Sequence, residues 1–481
     1  MKPSQYLNNI KSLSVFGGAQ ILDLFISLIR GKCAAVLLGP IGVGINSMLN
    51  TTFNLAFQAY SVGFFQSSVR DISKAFKTGN LKNTLSNLYS ISLLIAIIGS
   101  LLTFILAPLF SKLSFGNYEY RFDFMILSLA ILFYTLYSWN VSLLQGTHQI
   151  KRLATASVLG NFFGLFGLLA IFLLKNDGIA ISITITYLSL FIAHKYFANK
   201  SDLTIKAAPI ISAVKESKTT LSMGFAIMIS ALAINAFNYI FSIYIRSRGG
   251  LDDLGLYQSS YSIISKLFLI VSSVLASEYY PRISAISDDS RLVSKSLYNE
   301  AELLVLVIVP ASTLLIVFAP FVVKLLLSSS FIATIPLMRS MSLALVFRVV
   351  WIAVSYIFLA KGAKKMYFWF DAIVGNISVL IINIVMYHLF GLQGLGLSFI
   401  LSSLFVSILL TSIVRYKYDI VFPNAFYTLI VFLVALMTTV YFLVSYFDSV
   451  WAYSIVAVVL ITMCCFSYSI VRKRLLSDES N

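Results

Sequence analysis

Lys32-Cys33-Ala34-Ala35-Val36-Leu37-Leu38-Gly39-Pro40-Ile41-Gly42-Val43-Gly44 closes one long apolar segment, begun near residue 13, and opens a second that runs from 45 to about 65. Gly39-Pro40 cannot continue a helix, while Gly42 and Gly44 allow the chain to reverse tightly. A second copy of this turn lies 211 residues on, where Gly44-Ile45 is echoed by Gly255-Leu256 within Asp253-Leu254-Gly255-Leu256-Tyr257. At the same offset Phe57 meets Phe268, Ile72-Ser73 meets Ile283-Ser284, and Leu81 meets Leu292. The offset then drifts to about 215, so that Gly160-Asn161 matches Gly375-Asn376 and Asp177-Gly178 matches Gln393-Gly394. A repeat of this length predicts two related halves.

Of the 481 residues, 59% are hydrophobic and only 11% are charged, against about 25% charged in soluble domains. So few polar groups cannot cover a water-facing surface of this size, and the chain reads as an all-α polytopic membrane protein. No small-residue cleavage site follows a short apolar core near Lys2 and Lys11, so the first segment is expected to stay in the membrane. The net charge of +16 is assigned to loops on the cytoplasmic side, and no nucleic-acid partner is expected. Cys33, Cys464 and Cys465 form no CxxC, His148, His194 and His388 lie far apart, and no Walker motif is present. Neither a metal, a disulfide, ATP hydrolysis nor any other cofactor is therefore expected.

A membrane-crossing helix needs about 20 mostly apolar residues. Fourteen such spans are predicted, near 13–38, 45–66, 84–110, 122–145, 153–174, 178–197, 220–245, 255–279, 300–323, 332–360, 367–388, 393–414, 425–446 and 450–470. They divide into a six-helix lobe over 1–197, a hydrophilic linker over 198–218, a second six-helix lobe over 219–414, and two appended helices with a tail over 415–481. With a cytoplasmic N-terminus, 24 of the 35 Lys and Arg fall in inner loops and tails, Lys195 at the inner end of its span counted among them. The outer loops hold six (Lys112, Arg121, Lys175, Arg246, Arg248 and Lys324), and five lie inside spans. Positive charge is retained inside, so both termini are expected to be cytoplasmic. Six spans per half brings both halves in from the same side, with a symmetry axis along the membrane normal and a central cavity between pseudo-symmetric lobes. The outer loops are short, which argues against an enzyme that builds polymer on that face.

Ionisable side chains at membrane depth mark a pathway or a pair. Asp23 and Arg30, seven residues apart, share a helix face, and Lys32 follows them toward the outer interface. Arg30 and Lys32 are open to a second reading, as cations that snorkel. Lys266 lies near the centre of its span with no acid within a turn. Arg339 and Arg348, nine residues apart, point to opposite sides of their helix, and Arg348 is the deeper. Asp371 follows Lys364-Lys365 closely enough that an interfacial place and a functional one both stay open. Five cations against two acids favour an anionic passenger, with Asp23 and Asp371 as the candidates for ion coupling. Asn46, Asn50, Asn54, Gln58 and Gln66 form a polar stripe, and Gln258, Ser262 and Lys266 form its counterpart in the second half. Each stripe is read as helix–helix glue or as a cavity wall.

At these residues the chain resembles the Wzx-type O-antigen flippases, near the lipid III flippase branch of the MOP exporter superfamily. The match is carried by Lys32 to Gly44, by Asp253 to Ser265 running on to Tyr280-Pro281-Arg282-Ile283-Ser284, and by Leu325 to Ser328 with Phe331 and then Leu359-Ala360-Lys361. The resemblance implies two six-helix lobes about a cavity that opens alternately to each side. It implies an undecaprenyl-pyrophosphate-linked oligosaccharide as passenger, moved to the outer leaflet of the bacterial inner membrane. The polymerase and chain-length proteins of the same lipopolysaccharide pathway are then candidate partners, beside the bilayer itself. The sequence departs from the pattern where relatives carry Arg-Asp and Gly-Asp pairs: Ile335-Pro336 and Ala344-Leu345 stand there, while the basic residue beyond is kept as Arg348. Alternatives are a peptidoglycan-precursor flippase, a MATE-type exporter, for which mid-membrane acids would be wanted, and an O-antigen polymerase or ligase.

Overall fold

The computed structural model describes residues 3–200, 205–447 and 450–479, and among them every regular element is helical. In a medium that offers no hydrogen bonds, a helix satisfies its backbone internally, and this accounts for the all-helical architecture. Six helical segments make a single pass: Leu81–Ile105, Arg121–Gly146, Ser290–Val317, Thr334–Ala360, Asn424–Tyr446 and Val450–Glu479. Four longer stretches, 3–61, 150–199, 218–269 and 367–418, are each broken or bent partway and supply two passes. Counted by their halves these segments agree with the expected fourteen, and eight of the helices among the described residues are long and apolar enough to cross a membrane.

The bends carry the repeat into the backbone. The first helix turns at Gly39 (φ 65°, ψ −174°), and the helix beginning at Lys218 turns at Gly250 (φ 77°, ψ −174°). These glycines stand 211 residues apart and adopt one conformation, open to glycine and strained for other residues. Their flanks touch reciprocally. A Cβ added at Gly44 would strike the carbonyl of Leu251, and one added at Gly255 would strike the carbonyl of Pro40. Each partner is the repeat mate of the other, so the contact has a local two-fold character. The later bend repeats too: Gly391 (φ 58°, ψ −145°) has Lys175 (φ 55°, ψ −124°) in the matching loop.

Two compact units span Met1–Gly255 and Leu256–Asn481. In the first, Arg121–Gly146 packs between Leu81–Ile105 and Ile179–Asn199. Residues 205–217 of the expected linker are docked on this unit. Ser90 donates to the carbonyl of Ala208 (2.8 Å), while Asn83 and Asn87 both donate to Glu216 (3.0 and 2.5 Å). Ala213 is fully buried in a cluster with Phe65, Leu85 and Leu88. In the second unit, Thr334–Ala360 packs on 376–418 and on Ser290–Val317, and the two C-terminal helices lie against Ser290–Val317.

Candidate functional site

Thr334–Ala360, which with Ser290–Val317 is the most deeply packed of the long apolar helices described in the second unit, carries the two arginines singled out above. Nine residues turn a helix through two and a half turns, so their side chains leave on opposite sides. Arg339 is engaged by neighbouring helices: Nε donates to the carbonyl of Ile316 (3.1 Å) and Nη1 to Oγ of Ser445 (3.2 Å). Arg348 instead enters a cavity of about 250 Å³ together with Phe268, Trp351, Ser355, Tyr356, Tyr367 and Asp371. Its guanidinium carbon lies 5.1 Å from the ring centre of Phe268, 5.4 Å from Trp351 and 5.0 Å from Phe399. These are cation–π distances, and no described residue accepts a hydrogen bond from this guanidinium.

The other side of the cavity is built by a π-helix, Tyr367–Gly375. Its wide turns leave carbonyls imperfectly paired, and Asn376 donates to two of them, those of Asp371 (3.2 Å) and Ala372 (3.0 Å). Such irregular turns recur at functional sites. Here the π-helix presents Asp371, whose Oδ1 accepts from Trp351 Nε1 and from Ser355 Oγ, both at 2.7 Å. Asp371, left between two readings by the sequence, thus shares the cavity of Arg348, yet among the described residues the two form no ion pair. Arg348, Trp351, Ser355 and Leu359 follow helical spacing and line one face. That spacing was available in the sequence, but nothing there distinguished these aromatic and hydroxyl residues from ordinary core.

Lys266 lies two residues before Phe268 and does not line this cavity. It is half-buried, with no hydrogen bond or ion pair to a described residue, and Gln258 on the same helix is half-buried as well. The first unit holds a second polar cluster. Asn161 joins Arg30 to Asp23: Arg30 Nη2 donates to the Asn161 carbonyl (3.0 Å), and Asn161 Nδ2 donates to Asp23 Oδ1 (3.1 Å). Gly164 leaves room for the guanidinium, since a Cβ there would come within 2.7 Å of Nη2. Tyr187, close enough to Arg30 to interact electrostatically, stacks on Phe53 at 4.9 Å and meets Tyr134 at 4.6 Å. Asn161 entered the sequence reading only as a repeat marker; its main-chain carbonyl and its side-chain amide nitrogen together make it the bridge. Lys32 is half-buried two residues beyond Arg30.

The polar stripe stands apart from the core of the first unit. Ile45, Met48, Leu49, Phe53, Ala56 and Phe57 are buried on the other side of the same helix, whereas Asn54 is exposed and Asn50 and Gln58 are partly so. Asn50 Nδ2 donates to the carbonyl and to Oδ1 of Asn46 (2.8 and 2.9 Å).

Kinked helices in two repeated halves give a fold shared with solved transporters of the MOP superfamily. The chain aligns with lipid II flippase MurJ in an inward closed conformation at a TM-score of 0.72 and 17% identity, over 97% of this chain and 100% of that one. It aligns with a multidrug resistance MATE family transporter of the MOP superfamily, inward-facing, at 0.69 and 17% identity, over 82% and 94%. A MOP superfamily transporter from Pyrococcus furiosus, described by the reversed polarity of its binding pocket, follows at 0.60 and 14%, over 85% and 96%. No curated protein matches by sequence. By sequence the chain belongs to the family of polysaccharide biosynthesis proteins, which it matches over residues 34–336.

Proposed function

We propose that this protein is a flippase for an undecaprenyl-pyrophosphate-linked oligosaccharide, an O-antigen unit or a related surface glycan. It carries the glycan from the cytoplasmic to the outer leaflet of the bacterial inner membrane by alternating access, with both termini cytoplasmic. The observation that carries this reading is Arg348, a cation at membrane depth whose guanidinium is presented to a cavity with no hydrogen bond to a described residue. Membership of the polysaccharide biosynthesis family supports a glycan as passenger. A pyrophosphate brings at least two charges into a medium of low polarity, and its desolvation would cost several kcal/mol without compensation. Lys266 and Arg348 are proposed to supply that compensation, whereas Arg30 and Arg339 already donate to backbone carbonyls. Asp23, linked to Arg30 through Asn161, is proposed as an ion-coupling acid. The protein does no covalent chemistry in this reading; polymerase and chain-length proteins would act on what it delivers.

A peptidoglycan-precursor flippase is the second reading, favoured by the near-complete alignment with the lipid II flippase. Deleting the gene and identifying the lipid-linked intermediate that accumulates on the cytoplasmic face separates the two. A surface-glycan intermediate supports the first reading, a peptidoglycan precursor supports the second, and no accumulation of either refutes transport of a lipid-linked glycan.

A further inference from the structure

Within the second unit, one cavity holds two opposite charges that do not neutralise each other. Arg348 is met by three ring faces and lies close enough to Tyr257 to interact electrostatically, but among the described residues its N–H donors have no acceptor. Asp371 receives Trp351 and Ser355 on Oδ1, and among the described residues nothing donates to Oδ2. A structural ion pair would have closed the two groups on each other, because an uncompensated charge in this setting is costly. Instead the cavity offers an unmet cationic donor, an unmet anionic acceptor and aromatic surface from Tyr356 and Tyr367.

That combination describes its ligand. A guanidinium takes an oxyanion in a two-pronged grip. A carboxylate fixed on one oxygen by an indole and a hydroxyl accepts ligand hydroxyls on the other, and aromatic rings pack against an apolar C–H face. An organic cation would be repelled by Arg348, and a bare phosphate would be repelled by Asp371. The volume of about 250 Å³ falls below the roughly 300–1,000 Å³ that encloses drug-sized ligands, so the cavity has room for one ring rather than an oligosaccharide. We infer that the Arg348–Asp371 cavity is a subsite for a single sugar ring bearing an oxyanion. The oxyanion belongs either to a phosphate on the sugar or to the carboxylate of a uronic acid. This rests on the reading of the chain as a transporter of a glycan-bearing lipid, and it names the part of the passenger that this cavity grips.

The test uses the purified full-length protein in nanodiscs, with binding followed by thermal stabilisation and by calorimetry. The probes are α-D-glucose 1-phosphate, D-glucuronate, methyl α-D-glucoside and inorganic phosphate. At least one anionic sugar should bind about tenfold more tightly than either the neutral glycoside or phosphate, a gap of about 1.4 kcal/mol. Which anionic sugar does so identifies the source of the oxyanion. Arg348→Lys should narrow the preference for the anionic sugar over the glycoside, and Asp371→Asn the preference for the sugar over phosphate. Phosphate or the glycoside binding as tightly as both anionic sugars, no probe binding, or preferences unchanged in both variants overturns the subsite. The transport reading is judged separately, by the intermediate that accumulates in the deletion strain. Accumulated glycolipid beside a cavity indifferent to all four probes refutes the subsite alone.

Discussion

A guanidinium surrounded by three aromatic faces, with its N–H groups open, is a costly arrangement inside a membrane, and that cost is what a ligand's charge would relieve. Arg348→Ala and Lys266→Ala are therefore expected to lower surface glycan about tenfold or more in a complemented deletion strain, with membrane abundance measured alongside. Arg348→Lys should restore only part of it, because an ammonium keeps the charge but loses the planar fork. Lys77→Ala, at the exposed end of Phe64–Thr78, should have little effect. Full complementation by both alanine variants would show that these charges do not carry the passenger. Lys175 invites a different test. It is exposed and holds a positive φ where its repeat mate is Gly391. Lys175→Gly should thus relieve strain and raise stability by about 1 kcal/mol, read as a higher Tm in detergent.

Among the elements, the linker shows how polar chain is tied down beside a membrane domain. Its hydrogen bonds converge on Glu216, which takes two amides spaced one turn apart on Leu81–Ile105. Nearby, Thr220 donates to Asp71. Glu216→Ala leaves both amides without their acceptor; Asn83 is exposed and can turn to water, so the cost of about 1–3 kcal/mol falls on the buried Asn87. The loss is local, so the expected result is faster trypsin cleavage at Lys215 and Lys218 in inside-out vesicles, with the rest of the chain still protected. Equal cleavage of variant and wild type would mean that Ala213 and its apolar neighbours hold the segment unaided. The π-helix teaches a related lesson. Its turns carry Asp371, and Asn376 donates to the carbonyls of Asp371 and Ala372 within it.

For the whole molecule, the proposed direction of transport rests on orientation. In a variant lacking its three native cysteines, Lys215→Cys and Ser477→Cys should resist a membrane-impermeant thiol reagent in intact cells and react once the membrane is opened. Labelling of either from outside would invert the proposed topology. The all-helical membrane class, the fourteen spans and the repeat were legible in the sequence, because hydrophobic length and glycine placement are local quantities. Gly39 and Gly250 bend alike because each half meets the same steric problem at the same point. The sequence also separated Arg339 from Arg348, since helical phase alone sends them apart. It could not pair Arg348 with Asp371, join Asp23 to Arg30 through Asn161, or enclose the guanidinium with Phe268, Trp351 and Phe399. Those relations lie between helices distant along the chain, and in a membrane protein almost every face is apolar, so hydrophobic pattern says little about which face meets which. Only the packing of the helices decided that.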